Sequence, residues 1–252
     1  AAALLREQAV GDKVLFSEYE VIYEDLREVI GGYIHGYTHP EEMRACYIYK
    51  GTEQEVIRKA AFTELVSSIC DEIYSDTPVI NSEAINKNVI TSVANNSRSK
   101  IVAGLLRNEL EANLGLTGTG QEVSIMRSTL MRPGVLVMGE DSAEIQLKPA
   151  DRLMRNMLET IEDFILETRD IGERNFKILY DRLIMPEYHI GLRKGVIPIY
   201  LAAVIHEYKQ QVIISDRFGQ VAVSVDTFLQ INAKPENFTL SYLDWNPEKA
   251  EF

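Results

Sequence analysis

A chain of 252 residues, 46% of them hydrophobic and 25% charged, has the balance of a folded globular protein and excludes the disordered, fibrous and collagen-like classes. Its formal net charge of −12 repels nucleic acid on average, so any contact with DNA must come from a local basic patch. No apolar run reaches the roughly 18 residues of a membrane span, and Ala1 to Glu7 lacks the basic-then-apolar plan of a secretory signal, so no membrane partner and a cytoplasmic location are expected.

The lack of an initiator Met predicts a piece of a larger protein. Cys46 and Cys70 are too few for a disulfide framework and are expected as reduced, buried thiols.

Residues 1–30 carry apolar side chains at helical spacing, with a break near Gly11 and a helix stop at Gly31-Gly32. Gly36 to Pro40 reads as a loop. Cys46 to Tyr49 favours a short strand, which Lys50 to Glu53 turns back into Glu55–Arg58; alternatively Thr52 and Glu55 cap a longer helix. Ala60 to Tyr74 is helical, closed by Asp76-Thr77-Pro78. A short helix near Glu83–Asn86 and a long one over Ser92–Leu114 are predicted next. After the turn Gly115–Gly120, Thr119 and Glu122 have the spacing to cap a helix reaching about Met131, and Val135–Met138 suits a strand.

The charged stretch 139–149 reads as a boundary. Beyond it come helices over Asp151–Thr168 and Arg174–Met185, the latter capped by Asp170 and Glu173. A helix Val196–Tyr208 follows, with Pro198 in its first turn. A hairpin pairs Val212–Ser215 with Gln220–Val225, then come a helix Asp226–Ile231 and a strand Phe238–Tyr242. Tyr242 and Trp245 are expected to close this region against the helix 196–208. The predicted fold is mainly α with small β-hairpins, an α+β protein of winged-helix-like units. Its parts are an N-terminal helical segment (1–44), a first winged-helix-like unit (45–138) and a second (151–252).

Candidate chemistry is sparse. A P-loop needs a Lys-Ser/Thr after its glycines to supply charge and a metal-binding hydroxyl, whereas Gly120 is followed by Gln121-Glu122, whose carboxylate would repel phosphate. His35 and His39 are four apart, but a zinc protease needs Glu directly after the first His. His189 and His206 stand without a Cys or carboxylate constellation. Neither a nucleophile elbow nor a Cys-His pairing can be assigned. No enzyme site, cofactor or metal is therefore expected.

Basic residues gather locally: Arg98, Lys100 and Arg107; Arg127 and Arg132; Arg174, Lys177 and Arg182; and Arg193, Lys194 and Arg217. The residues selected for anion, partner or DNA contact are Arg193, Lys194, Arg217, Arg127 and Arg132. The helix 196–208 is nearly uncharged, which suits packing rather than groove reading. Arg193 and Lys194 precede it, where the helix dipole disfavours cations, so they are expected to hold a carboxylate or phosphate, or else to pair with an acidic helix of the same chain.

Several stretches act together as a signature. They are Ile69–Tyr74 with Thr77-Pro78 and Asn81–Asn86, Leu114-Gly115-Leu116 leading to Ser124–Ser128, Gly191–Pro198, and Asn232 with Pro235–Phe238. Their order over residues 45–245 resembles the region downstream of the nucleotide-binding domain in large P-loop ATPases of bacterial phage-defence operons, BREX-type and related. The resemblance implies a parent protein that hydrolyses ATP and acts with other defence proteins on or near DNA. The chain has no Walker A lysine motif, so the ATPase activity does not carry over to it. The expected partners are the other domains of such an ATPase or defence-system proteins, with DNA as the alternative.

Overall fold

A computed structural model of the chain describes residues 2–140 and 142–243. They form two compact units, 1–72 and 73–252. Trp245, expected to close the C-terminal region, lies outside the described residues.

In the first unit, α1 (Ala2–Gln8) and α2 (Lys13–Thr38) form a helical hairpin. The predicted break near Gly11 is where Asp12 caps α2, its carboxylate accepting from the N–H groups of Val14 and Leu15 at 3.0 and 3.2 Å. The predicted stop at Gly31-Gly32 does not occur. A glycine ends a helix by taking a left-handed conformation, and neither of these has a positive φ. The apolar pattern instead runs on through Tyr33, Ile34 and Tyr37. The helix stops one residue short of His39, which precedes Pro40 and is disfavoured in helical geometry. Gly36, Tyr37 and Thr38, expected in a loop, are therefore helical. Strands β1 (Tyr47–Tyr49) and β2 (Thr52–Gln54) pair through a two-residue turn at Lys50-Gly51, both at positive φ (51° and 77°). So tight a turn brings the return strand to Thr52, ahead of the expected Glu55. The unit ends in α3 (Lys59–Ile73).

In the second unit, α4 (Ser92–Leu105) is capped by Thr91, whose hydroxyl accepts from the Ala94 N–H at 3.2 Å. It stops at Leu105 rather than Leu114. Asn113, Leu114 and Gly115 all take positive φ and double the chain back. Leu114 is thereby buried against Gly104, where a Cβ would lie 2.6 Å from the Leu114 Cβ. The carbonyls freed at the end of α4 are taken by His206, whose Nδ1 lies 2.7 Å from Leu105 O, and by the Lys209 ammonium, which donates to Leu106 O.

Helix α5 (Gln121–Met126) starts at Gly120, without the predicted Thr119 cap, and continues as a π-helical turn over Arg127–Met131. There the Ser128 and Thr129 hydroxyls donate to Ile125 O, and the Tyr200 hydroxyl donates to Thr129 O at 3.0 Å. Side chains thus supply partners to the Ile125 and Thr129 carbonyls of the widened turn. The predicted helix at Glu83–Asn86 is a turn that buries Ile85.

Strands β3 (Leu136–Met138) and β4 (Ala143–Ile145) form a hairpin. One hydrophobic core runs from Ile80 to Leu240 and takes in Ala143. The stretch 139–149 therefore joins parts of one core, and the chain divides near residue 72 instead of at 44 and 150.

Helix α6 (Arg152–Ile171) is capped by Asp151, which accepts from the Met154 N–H at 2.8 Å. Gly172, at φ 88°, ends it. Strand β5 (Arg174–Asn175) then intervenes, so α7 (Phe176–Ile184) is capped by Asn175 and not by Asp170. After α8 (Ile197–Tyr208) come β6 (Val212–Asp216), β7 (Gly219–Val221), α9 (Val225–Ala233) and β8 (Thr239–Tyr242). The antiparallel sheet has the order β5-β8-β6-β7. Every residue of α8 from Ile197 to Ile205 is buried, which explains its lack of charge: α4, α6 and α9 surround it. The architecture is mixed α+β, mainly helical with small antiparallel sheets.

Candidate interaction surface

The signature stretches of the second unit meet around the segment that enters α8. His189 O accepts the Asp76 N–H at 3.0 Å, Thr77 Oγ1 donates to Ile190 O at 2.6 Å, and Gly191 lies against the Tyr74 ring. Farther along, the Lys194 N–H donates to Asn88 Oδ1 at 3.1 Å and the Gly195 N–H to Lys87 O at 2.9 Å. Gly195 leaves no room for a side chain, since a Cβ there would be 2.0 Å from Ile85 O. These residue types are thus tied to close packing of the segments 73–90 and 189–195.

Arg98 holds the same segment from beneath. It is 5% exposed and donates from Nη1 to Gly195 O at 3.1 Å and from Nη2 to Asn95 Oδ1 at 2.6 Å. No carboxylate pairs with it among the described residues, and its Nε is buried without a partner. Burial lowers the pKa of this guanidinium. Burial also drives the Tyr180 phenol well above its usual range; its hydroxyl donates to Asn232 Oδ1 at 3.1 Å.

Arg193 is exposed and Lys194 half-buried at the start of α8. Among the described residues neither side chain has an ion pair or hydrogen bond. The backbone N–H groups of residues 194, 195, 196 and 199 all donate inside the protein. An anion here would be held by the two side chains rather than by a ring of free amides. Arg127 and Arg132 are exposed at either end of the π turn, also without a described partner. Arg217 tops the β6–β7 hairpin and stacks on the exposed Phe218 ring at 4.5 Å. No hydrogen bond or ion pair links these three groups among the described residues.

The other basic clusters of the sequence are occupied within the chain. Arg182 forms a two-pronged pair with Glu167 at 3.0 Å, and Arg174 bonds the same carboxylate. Lys177 pairs with Asp181, Lys100 with Glu122 and Arg107 with Glu111.

The histidine pair sits at the C-terminal end of α2. The rings of His35 and His39 stack at 3.7 Å, and His35 Nε2 lies 2.7 Å from Glu42 Oε1. Among the described residues, no group of three or more His, Cys, Asp or Glu side chains could hold a metal. Cys46 and Cys70 are unpaired as expected but exposed, not buried: Cys46 lies just ahead of β1 and Cys70 on an open face of α3. The Cys46 thiol donates to Glu53, which pushes its pKa up.

Sequence reasoning passed over the open face of α2. Val29, Ile30, Tyr33, Ile34 and Tyr37 are each more than half exposed. Within residues 2–72 the buried residues are Ala9, Gly36 and Pro40. The signal was present in the sequence as apolar periodicity continuing past Gly31-Gly32. Among the described residues, no helix is long and apolar enough to cross a membrane. Comparison of the chain with protein-family models, with curated proteins and with solved structures finds no match.

Proposed function

We propose that the chain is a non-catalytic assembly module of a larger cytoplasmic bacterial ATPase, of the phage-defence kind that its motifs resemble, and that its first unit is the docking element. The observation that carries this reading is the exposed apolar face of α2. A unit of about 70 residues ordinarily buries about 60% of the surface its unfolded chain exposes. The first unit buries three of its described residues while leaving a helix of 26 residues apolar toward solvent. Exposed apolar surface of that extent is the mark of a protein-protein contact.

Hydrogen exchange on the isolated chain tests the reading. The amides of α2 are expected to exchange orders of magnitude faster than those of α8, and to slow when the parent protein's other domains are added. Protection of α2 equal to that of α8 in the monomeric chain would mean its face is already covered, and would overturn the proposal.

The second reading is a DNA-binding winged-helix module. It is favoured by the order α6, β5, α7, α8 and the β6–β7 hairpin, and by Arg193 and Lys194, which have no partner among the described residues, with Arg217 at the hairpin tip. Against it, the helix that would enter a groove is buried from Ile197 to Ile205, and β8 lies between β5 and β6. Only phosphate contacts would remain, so a salt-sensitive shift of duplex DNA without sequence preference is its test. No shift at low salt would remove this reading.

A further inference from the structure

We infer that α2 receives a basic amphipathic helix of a partner protein; this rests on the assembly reading and names the class of partner. The argument starts from spacing. Leu15, Tyr19, Ile22, Leu26, Val29 and Tyr33 follow one another at steps of 4, 3, 4, 3 and 4. That is a period of 3.5, the seam of a coiled coil, so the complementary surface is another helix.

Helix α1 does not fill the role. It has 7 residues against 26 in α2, and at about 1.5 Å per residue it spans roughly a quarter of its neighbour. Its Arg6 reaches the Tyr23 ring at 4.6 Å. Beyond its start an open groove continues, lined by Ala2 and Ala3 on one side and Leu26, Ile30 and Ile34 on the other.

Charge selects the partner. Glu18 and Asp25 lie seven apart along one border of the seam, in the flanking position from which coiled-coil helices pair charges. Glu28 lies outside them. None of the three has an ion-pair partner among the described residues, whereas Arg27 is engaged by Glu24 at 3.6 Å. A second copy of α2 laid antiparallel would bring the two acidic borders together, where like charges oppose association; laid parallel, it would set Glu18 and Asp25 against the apolar border of Phe16, Tyr23 and Ile30 and leave the carboxylates without cations. A helix with Lys or Arg flanking its apolar stripe would pair with these carboxylates instead.

The test uses the whole chain and two synthetic peptides of about four heptads, both with Ile and Leu at the seam. One carries Lys at every flanking position and the other Glu. Binding is followed by fluorescence anisotropy, and the chain's own association by sedimentation velocity. The expected result is a monomeric chain that binds the Lys peptide about tenfold or more tighter than the Glu peptide, with the preference reversed in the Glu18→Lys/Asp25→Lys variant. Equal binding of the two peptides, or none, overturns the inference. A dimer that Val29→Asp dissociates also overturns it by making a second copy the occupant, while the assembly reading stands. If Val29→Asp instead leaves a monomer but lowers its melting temperature as a core substitution does, the face is covered within the chain and both readings fall.

Discussion

Replacing Gly195 by Ala puts one methyl group where the structure has no space. The added Cβ would stand 2.0 Å from Ile85 O, 2.7 Å from Lys87 O and 2.9 Å from Ile90 Cγ2. Two of these neighbours are backbone, so they cannot swing aside as the end of a long side chain would. The φ of Gly195 is not positive, and the constraint is therefore space rather than backbone conformation. In an unconstrained position Gly→Ala stabilises by about 0.4–1 kcal/mol through the unfolded chain. Here overpacking costs about 1–3 kcal/mol. Parting the segments also stretches the Gly195 N–H bond to Lys87 O, worth about 0.5–1.5 kcal/mol, and the charge-assisted bond from Arg98, about 1.5–3 kcal/mol. These losses share one displacement and do not add fully. A net destabilisation of about 3–5 kcal/mol follows, a fall in Tm on the order of 10 °C for a unit of this size. Circular-dichroism melts of the full chain would read it. Gly31→Ala is the control: nothing lies within 4 Å of its added Cβ, and the helical glycine should gain about 0.5–1 kcal/mol. A Gly195→Ala melt within about 2 °C of the parent, or above it, would refute the packing argument.

Arg98→Ala should lower stability by about 2–4 kcal/mol, because it leaves Gly195 O and Asn95 Oδ1 unpaired beside a cavity. Arg98→Met should lose less, since it fills the space and removes a buried charge that has no carboxylate partner among the described residues; equal urea midpoints for the two variants would contradict this. Burial raises the phenol pKa values of Tyr180 and Tyr200 above the ordinary 10, so the folded state keeps protons that the unfolded state loses. Stability is then unaffected by these groups below pH 10 and falls as pH rises beyond it. Tyrosinate absorbance that develops fully near pH 10 with the circular dichroism unchanged would show that these phenols are accessible. The Arg193→Ala/Lys194→Ala variant should melt within about 0.5 kcal/mol of the parent, since neither side chain has a described partner; a larger loss would make the pair structural.

Local patterns made most of the secondary structure legible. Helix α6 and its Asp151 cap, the buried apolar α8 with Pro198 in its first turn, and the hairpin around Arg217 follow from periodicity and turn chemistry between near neighbours. The errors came where distant residues decide. Whether Gly31 and Gly32 end a helix depends on a φ that the dipeptide does not specify, and α4 ends where Leu114 folds back and residues about 100 positions away take its carbonyls.

The candidate surface divides in the same way. Arg193, Lys194, Arg127, Arg132 and Arg217 were visible as basic residues, but so were Arg174 and Arg182, and composition cannot say which cations find a carboxylate such as Glu167 at home. The sequence by itself determined a mainly helical α+β chain and the apolar periodicity of its first long helix. Only the tertiary structure decided that Arg98 is buried beneath Gly195, that residues 139–149 join one core, and that the seam stays open. The physical reason is that periodicity records which face of an element is apolar, while the partner of that face is set by contacts between residues far apart in the chain.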